Sequence, residues 1–187
     1  MSMFEKMRKY RKIMLIMSFA GAVSMSSLSS IHAQEVSIPE LPKKVDPDLK
    51  KNIVGVWELV SYKVQDKETG KLIDAMGAHP RGRVIFTPDG WVAFNLEGSD
   101  RQPAKDDADR AHLMKTLVAY IGRYRVEGNQ WVTSVQTAWA PEWVGTEQRR
   151  NIVVKGNEAD VLTPWRIMPN WDNGKMSRSI IRFKRVN

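Results

Sequence analysis

Cysteine is absent from all 187 residues. That excludes disulfides, thiolate metal sites and a lipid-modified cysteine behind a leader. Histidine is scarce, with three in the chain: His32, His79 and His112. His79 reads as loop and His112 as helix, and no ligand spacing joins them to each other or to carboxylates. No bound metal is expected. A Gly-x-Ser-x-Gly elbow, a phosphate loop and a dinucleotide fingerprint are also missing, so no nucleotide and no other cofactor is expected. The apolar run 13–25 is too short for an ordinary spanning helix. No internal repeat or low-complexity tract appears.

The chain is 42% hydrophobic and 27% charged, a globular composition. Lys6, Arg8, Lys9, Arg11 and Lys12 precede the apolar run, and small polar residues follow it up to Ala33. This is the anatomy of a secretory signal peptide, cleaved after Ala33, with an uncleaved anchor as the alternative. A periplasmic or secreted protein is expected, without stable membrane insertion after cleavage. Cleavage would remove five of the 29 basic and one of the 21 acidic residues, leaving 24 and 20 and a net charge of +4. The remaining basic residues are scattered, so no nucleic-acid partner is expected.

Residues 34–51 hold Pro39, Pro42 and Pro47 among charges and read as an extended arm. Asp46 and Pro47 can start a single helical turn at its end. The first strand is expected over 52–64, with Trp57, Leu59 and Ser61 on one face and Val56, Val60, Tyr62 and Val64 on the other. Short strands and turns follow, including a hairpin through Pro88-Asp89-Gly90. One helix is expected from Pro103 to about Val118, with Ala104, Ala108, Ala111, Met114 and Leu117 at helical spacing. It covers a barrel end or packs on the outer wall. Residues 120–186 return to strands. The fold class is all-β: eight to ten mostly up-and-down antiparallel strands in residues 52–187, the first and last pairing to close a small barrel. A closed barrel of this size can hold one small ligand.

Four runs then carry a resemblance: 54–62 (VGVWELVSY), 80–91 (PRGRVIFTPDGW), 120–124 (YIGRY) and 143–150 (WVGTEQRR). Gly55-x-Trp57 looks like a lipocalin signature, and the four runs in order resemble the bacterial lipocalin-like domain family over about 53–186. The resemblance implies an antiparallel barrel with a ligand cavity and no agreed reaction. It places Trp57 at the barrel floor, where an arginine of the last strand should stack on it. Members often carry a histidine just after the position of Thr133; here Ser134 stands there, which puts any acid/base role of that histidine in doubt.

Alternation along the last strand groups Ile181, Phe183 and Arg185, which selects Arg185 over Arg182 as the partner of Trp57. Gly55, Trp57 and Arg185 are therefore expected to close the barrel. The cavity wall is expected from Val84, Phe86, Val92, Phe94, Leu96, Tyr120, Tyr124 and Trp139, with Trp143 as a lip or as a surface loop anchor. Gln148 and Arg150 share a face with Ile152 and Val154, taken as inward. An inward arginine must find a partner: a ligand carboxylate or enolate, or else Glu142 or Glu147. A one-residue register error would instead turn Arg149 inward.

Three functions fit. The first is binding of a small hydrophobic, aromatic or acidic molecule. The second is a cofactor-independent isomerase, cyclase or lyase, in which Tyr120, Tyr124 or Arg150 stabilises negative charge. The third is an interaction module with exposed aromatics.

Overall fold

The computed structural model describes residues 38–168, 170 and 174–186. The expected signal peptide, the first residues of the arm and Trp171 lie outside the described residues. The elements are α1 (Leu49–Asn52), β1 (Gly55–Asp66), β2 (Leu72–Ile73), β3 (Arg81–Phe86), β4 (Trp91–Glu97), α2 (Asp107–Lys115), β5 (Leu117–Glu127), β6 (Gln130–Ala138), a 3-10 turn (Pro141–Trp143), β7 (Glu147–Lys155), β8 (Glu158–Leu162), β9 (Arg166–Ile167) and β10 (Met176–Arg185).

Every pairing is antiparallel. The order is β2-β1-β3-β4-β5-β6-β7-β8-β10-β9, and β1 also pairs with β10. Eight long strands thus form a closed barrel, to which β2 and β9 add short ribbons. The closing seam runs from Trp57 opposite Arg185 to Asp66 opposite Ser177. Closure leaves no long strand with an unpaired edge, which removes the main aggregation risk of an open sheet.

Four expectations need correction. Strand β1 starts at Gly55 rather than Asn52, because the helical turn continues to Asn52. The Asp46 carboxylate accepts from the Asp48 amide, so it shapes the approach to the turn rather than capping it. The two faces of β1 are not those of simple alternation. A bulge between Leu59 and Ser61 inserts one residue against β10. Past it, Tyr62 and Val64 are buried like Trp57 and Leu59, while Val60 is exposed. A bulge reverses the parity of every residue beyond it. The helix is also shorter than its periodicity predicts, at Asp107–Lys115, and it buries none of its residues. Two of its four apolar residues are alanines, which gain little from burial, and Leu117 and Val118 instead begin β5. No helix among the described residues is long and apolar enough to cross a membrane.

At one end the barrel is closed by α1 and by contacts around Trp57. Leu49, Ile53 and Trp57 are almost fully buried. The Trp57 indole donates to the Ile53 carbonyl at 2.8 Å. The Arg185 guanidinium lies 4.0 Å over the Trp57 ring and donates to the carbonyls of Asn52 (2.6 Å) and Val54 (2.7 Å). It satisfies acceptors that the short helix leaves open at its C-terminus. Gly55 has φ of 131°, and a Cβ there would meet Arg185 Nη1 at 2.6 Å. Arg182 points elsewhere, paired with Asp160.

Candidate functional site

Strand β7 sets the site by its parity. Arg149 faces out and Arg150 faces in. Outside, Arg149 and Arg125 bridge Glu127 and Glu147 in a four-membered network with contacts of 2.6 to 2.9 Å. The hydrogen bond from Arg149 is the main reason the Glu127 carboxyl is held below its usual range, and that from Arg125 is the main reason for Glu147. Glu147 is thereby committed outside the barrel.

Inside, Arg150 is only 1% exposed. Its guanidinium carbon lies 5.1 Å from the ring centres of Tyr120 and Trp131, 5.5 Å from Phe94 and 6.0 Å from Trp143. Its Nε and Nη1 have no hydrogen-bond partner among the described residues. Cation–π attraction contributes roughly 2 kcal/mol for a desolvated pair. Ring faces attract the charge but accept no strong, directional hydrogen bond from Nε or Nη1, so they do not replace an anion.

The Tyr120 hydroxyl is buried in the same place, without a hydrogen-bond partner among the described residues. Thr133 stands close to it outside hydrogen-bonding geometry, and the Thr133 hydroxyl already accepts from the Trp131 indole at 2.6 Å. Burial pushes the Tyr120 phenol up to about 12, against the opposing charges of Arg150 and Arg166. The phenol is therefore a proton donor at neutral pH. The neutral form is the one folding favours, so its contribution is full below pH 10 and fades as pH rises towards 12. In a spectrophotometric titration at 295 nm, one tyrosine should resist ionisation until near pH 12. Tyr120→Phe should abolish that late step and flatten the loss of stability between pH 10 and 12.

The other candidates fall into groups. Phe94 stacks on Tyr120 with ring centres 4.9 Å apart. Trp143, in the 3-10 turn, is buried, 5.9 Å from Tyr120 and 5.4 Å from Trp139. Arg150, Tyr120, Phe94 and Trp143 thus meet at one point, with half-buried Trp139 behind them. Phe86 packs edge-on against Tyr124 and Trp131, and the Tyr124 hydroxyl donates to the Thr87 carbonyl. Gln148 does not join Arg150; its carbonyl accepts from Arg166 at 2.7 Å. Ser134 is exposed on β6.

Trp131 and Thr133 are not among the candidates read from the sequence, yet both alternate inward with Val135. Arg166 is a further addition, in a two-residue strand with no periodicity to detect. The Tyr62 hydroxyl, paired with Ser179 at 2.8 Å, is a further inward polar group that the bulge had hidden. No group of three or more His, Asp or Glu among the described residues could hold a metal.

A cleft of about 250 Å³ lies beside Trp139, lined also by Met114, Lys115, Pro141, Glu142 and Asn170. From it the rings run inward in series: Trp139, then Trp143, then Tyr120 and Arg150. Around Arg150, where a hollow is expected, four of the protein's own aromatic rings stand within 6.0 Å of the guanidinium.

No curated protein matches the chain. A family model described as a lipocalin-like domain matches residues 54–186, which contain all ten strands. Barrels of this kind suit small-molecule binding in general. An eight-stranded closed barrel, its first and last strands joined beside Gly55 and Trp57, accords with that match, and the chain belongs to the lipocalin-like domain family.

Proposed function

We propose that the barrel binds a small, flat, apolar molecule bearing a carboxylate. The observation that supports this reading is Arg150: a guanidinium walled by four aromatic rings, with two nitrogens lacking any acceptor. A carboxylate would supply charge-assisted hydrogen bonds, and the rings would take the apolar body. The leader-like segment 1–33 supports placing this activity in the periplasm or outside the cell.

The rings that wall the site include tryptophans, so binding is directly readable. Trans-cinnamate, indole-3-acetate and 2-naphthoate should quench intrinsic tryptophan fluorescence saturably. Their neutral amides should bind at least tenfold more weakly, because they lack the charge that pairs with a desolvated guanidinium. A flat response to the whole panel would count against the proposal.

The Tyr120 hydroxyl favours a second reading. Unpartnered and protonated beside Arg150, it could share the charge of an enolate as it forms, as a cofactor-independent isomerase, cyclase or lyase requires. Turnover of a bound acid, slowed by Tyr120→Phe with little change in affinity, would establish it; unaltered acids recovered after long incubation would not.

A further inference from the structure

Trp143 is the residue around which the unsatisfied groups gather. Three side chains with buried, unpartnered polar atoms surround it: Arg150, with Nε and Nη1; Tyr120, with its hydroxyl; and Trp139, with its indole nitrogen. Their guanidinium and rings lie 5.4 to 6.0 Å from the Trp143 ring. A second guanidinium, that of Arg166, lies 5.1 Å from it. Each unpartnered atom of Arg150, Tyr120 and Trp139 can donate a hydrogen bond. A native interior satisfies nearly all of its buried polar atoms, so several orphaned donors about one apolar ring are out of the ordinary. The indole offers them only its π-face, and its single N–H is itself a donor.

The backbone around Trp143 is also unlike the wall. The other three rings about Arg150 stand on long barrel strands, whereas Trp143 ends a three-residue 3-10 turn between β6 and β7. That turn is closed by local bonds: the Trp143 amide to the Ala140 carbonyl, the Val144 amide to that of Pro141, and the Thr146 amide and hydroxyl to that of Trp143. Gly145 follows with φ of 78° and open space about its Cα. The cleft beside Trp139, Pro141 and Glu142 adjoins this turn on its outer side. Short connecting loops are the segments that re-pack at least cost, because few ladder bonds hold them.

We infer that the Trp143 indole is a plug occupying the ligand's own seat, and that the ligand is an aromatic carboxylate of about the size of an indole that displaces it towards the cleft. This inference rests on the acid-binding reading of Arg150. The displaced ring and the incoming one are alike in shape, but the ligand brings an acceptor for Arg150, Tyr120 and Trp139. That difference decides the exchange. The apparent affinity of the wild-type protein is then lowered by the fraction of molecules whose seat is already filled.

The test is calorimetric titration of 2-naphthoate into the wild-type chain, Trp143→Ala and Trp143→Ala/Arg150→Met. Emptying the seat should tighten binding on the order of tenfold or more, and the double substitution should abolish it. Free indole should bind Trp143→Ala and compete with 2-naphthoate. If the wild type binds and Trp143→Ala binds equally or more weakly, Trp143 is part of the wall: the plug is refuted while the role of Arg150 stands. If neither protein binds any acid of the panel, the acid-binding reading fails and the plug with it. Should Trp143→Ala not fold, fluorine NMR of the wild-type chain labelled with 5-fluorotryptophan decides. The resonance missing from Trp143→Phe should move to a solvent-exposed position on saturation with 2-naphthoate, and an unmoved resonance overturns the inference.

Discussion

Arg150→Met should make the free protein more stable while destroying its capacity for carboxylates. The melting temperature is expected to rise by roughly 2–8 °C, about 1–2 kcal/mol for a domain of this size. Affinity for apolar acids should fall about 100-fold or more, the loss when one partner of a buried charge pair is removed. The two effects have one cause. In the free chain the guanidinium has lost its water and gained ring faces in place of an anion. Methionine has a similar length, no charge and an adaptable fit among aromatic rings. A stability gain at the cost of binding is the mark of a functional group, because a purely structural group stabilises the fold it belongs to. If the variant melted lower and bound acids as before, Arg150 would be a packing element and the proposed ligand class would have no anchor.

The second large effect is expected at the barrel seam. Arg185→Ala should cost about 4 kcal/mol, the low end of the sum of a cation–π contact and two charge-assisted hydrogen bonds. That corresponds to a drop of roughly 8–16 °C. The arginine spans both sides of the closure: it belongs to β10, stacks on a β1 indole and ties down the carbonyls of Asn52 and Val54. Gly55→Ala should cost a similar amount, through a positive φ that alanine resists and a methyl group driven against Arg185. The two losses share that second component. In a double-mutant cycle, Gly55→Ala should therefore cost about 1 kcal/mol less when Arg185 is already alanine. Strict additivity would mean that the glycine serves only its own backbone conformation. Acid binding should survive in either variant below its melting point, since Arg185 and Arg150 sit in separate groups of contacts.

The barrel itself was legible in the residues. Glycine-marked turns, short alternating runs and a single helical stretch point to a small antiparallel barrel; the family resemblance implies an arginine of the last strand over Trp57, alternation selects Arg185, and that guanidinium lies 4.0 Å over the ring. Parity in β7 grouped Arg150 with Ile152, and the structure buries both. Parity failed in β1, where the bulge after Leu59 leaves no compositional trace in Val60-Ser61 and yet turns Tyr62 inward. The helix was overextended because Leu117 and Val118 continue its spacing; pairing with β4 claims them instead. A half-exposed helical turn offers an apolar side chain less burial than a barrel interior does.

The sequence alone determined which chemistry is available: no thiol, few imidazoles, many indoles and an arginine on an apolar strand face. Those are properties of single residues and their nearest neighbours, and they read linearly. The tertiary structure decided which of them meet. It gathered Phe94, Tyr120, Trp131, Trp143 and Arg150 from four separate strands and a turn around one guanidinium. It sent Arg149, one residue away, to the outer surface among carboxylates. Such convergence follows from long-range strand register, which is set by the summed burial of the whole sheet and is encoded at no single position.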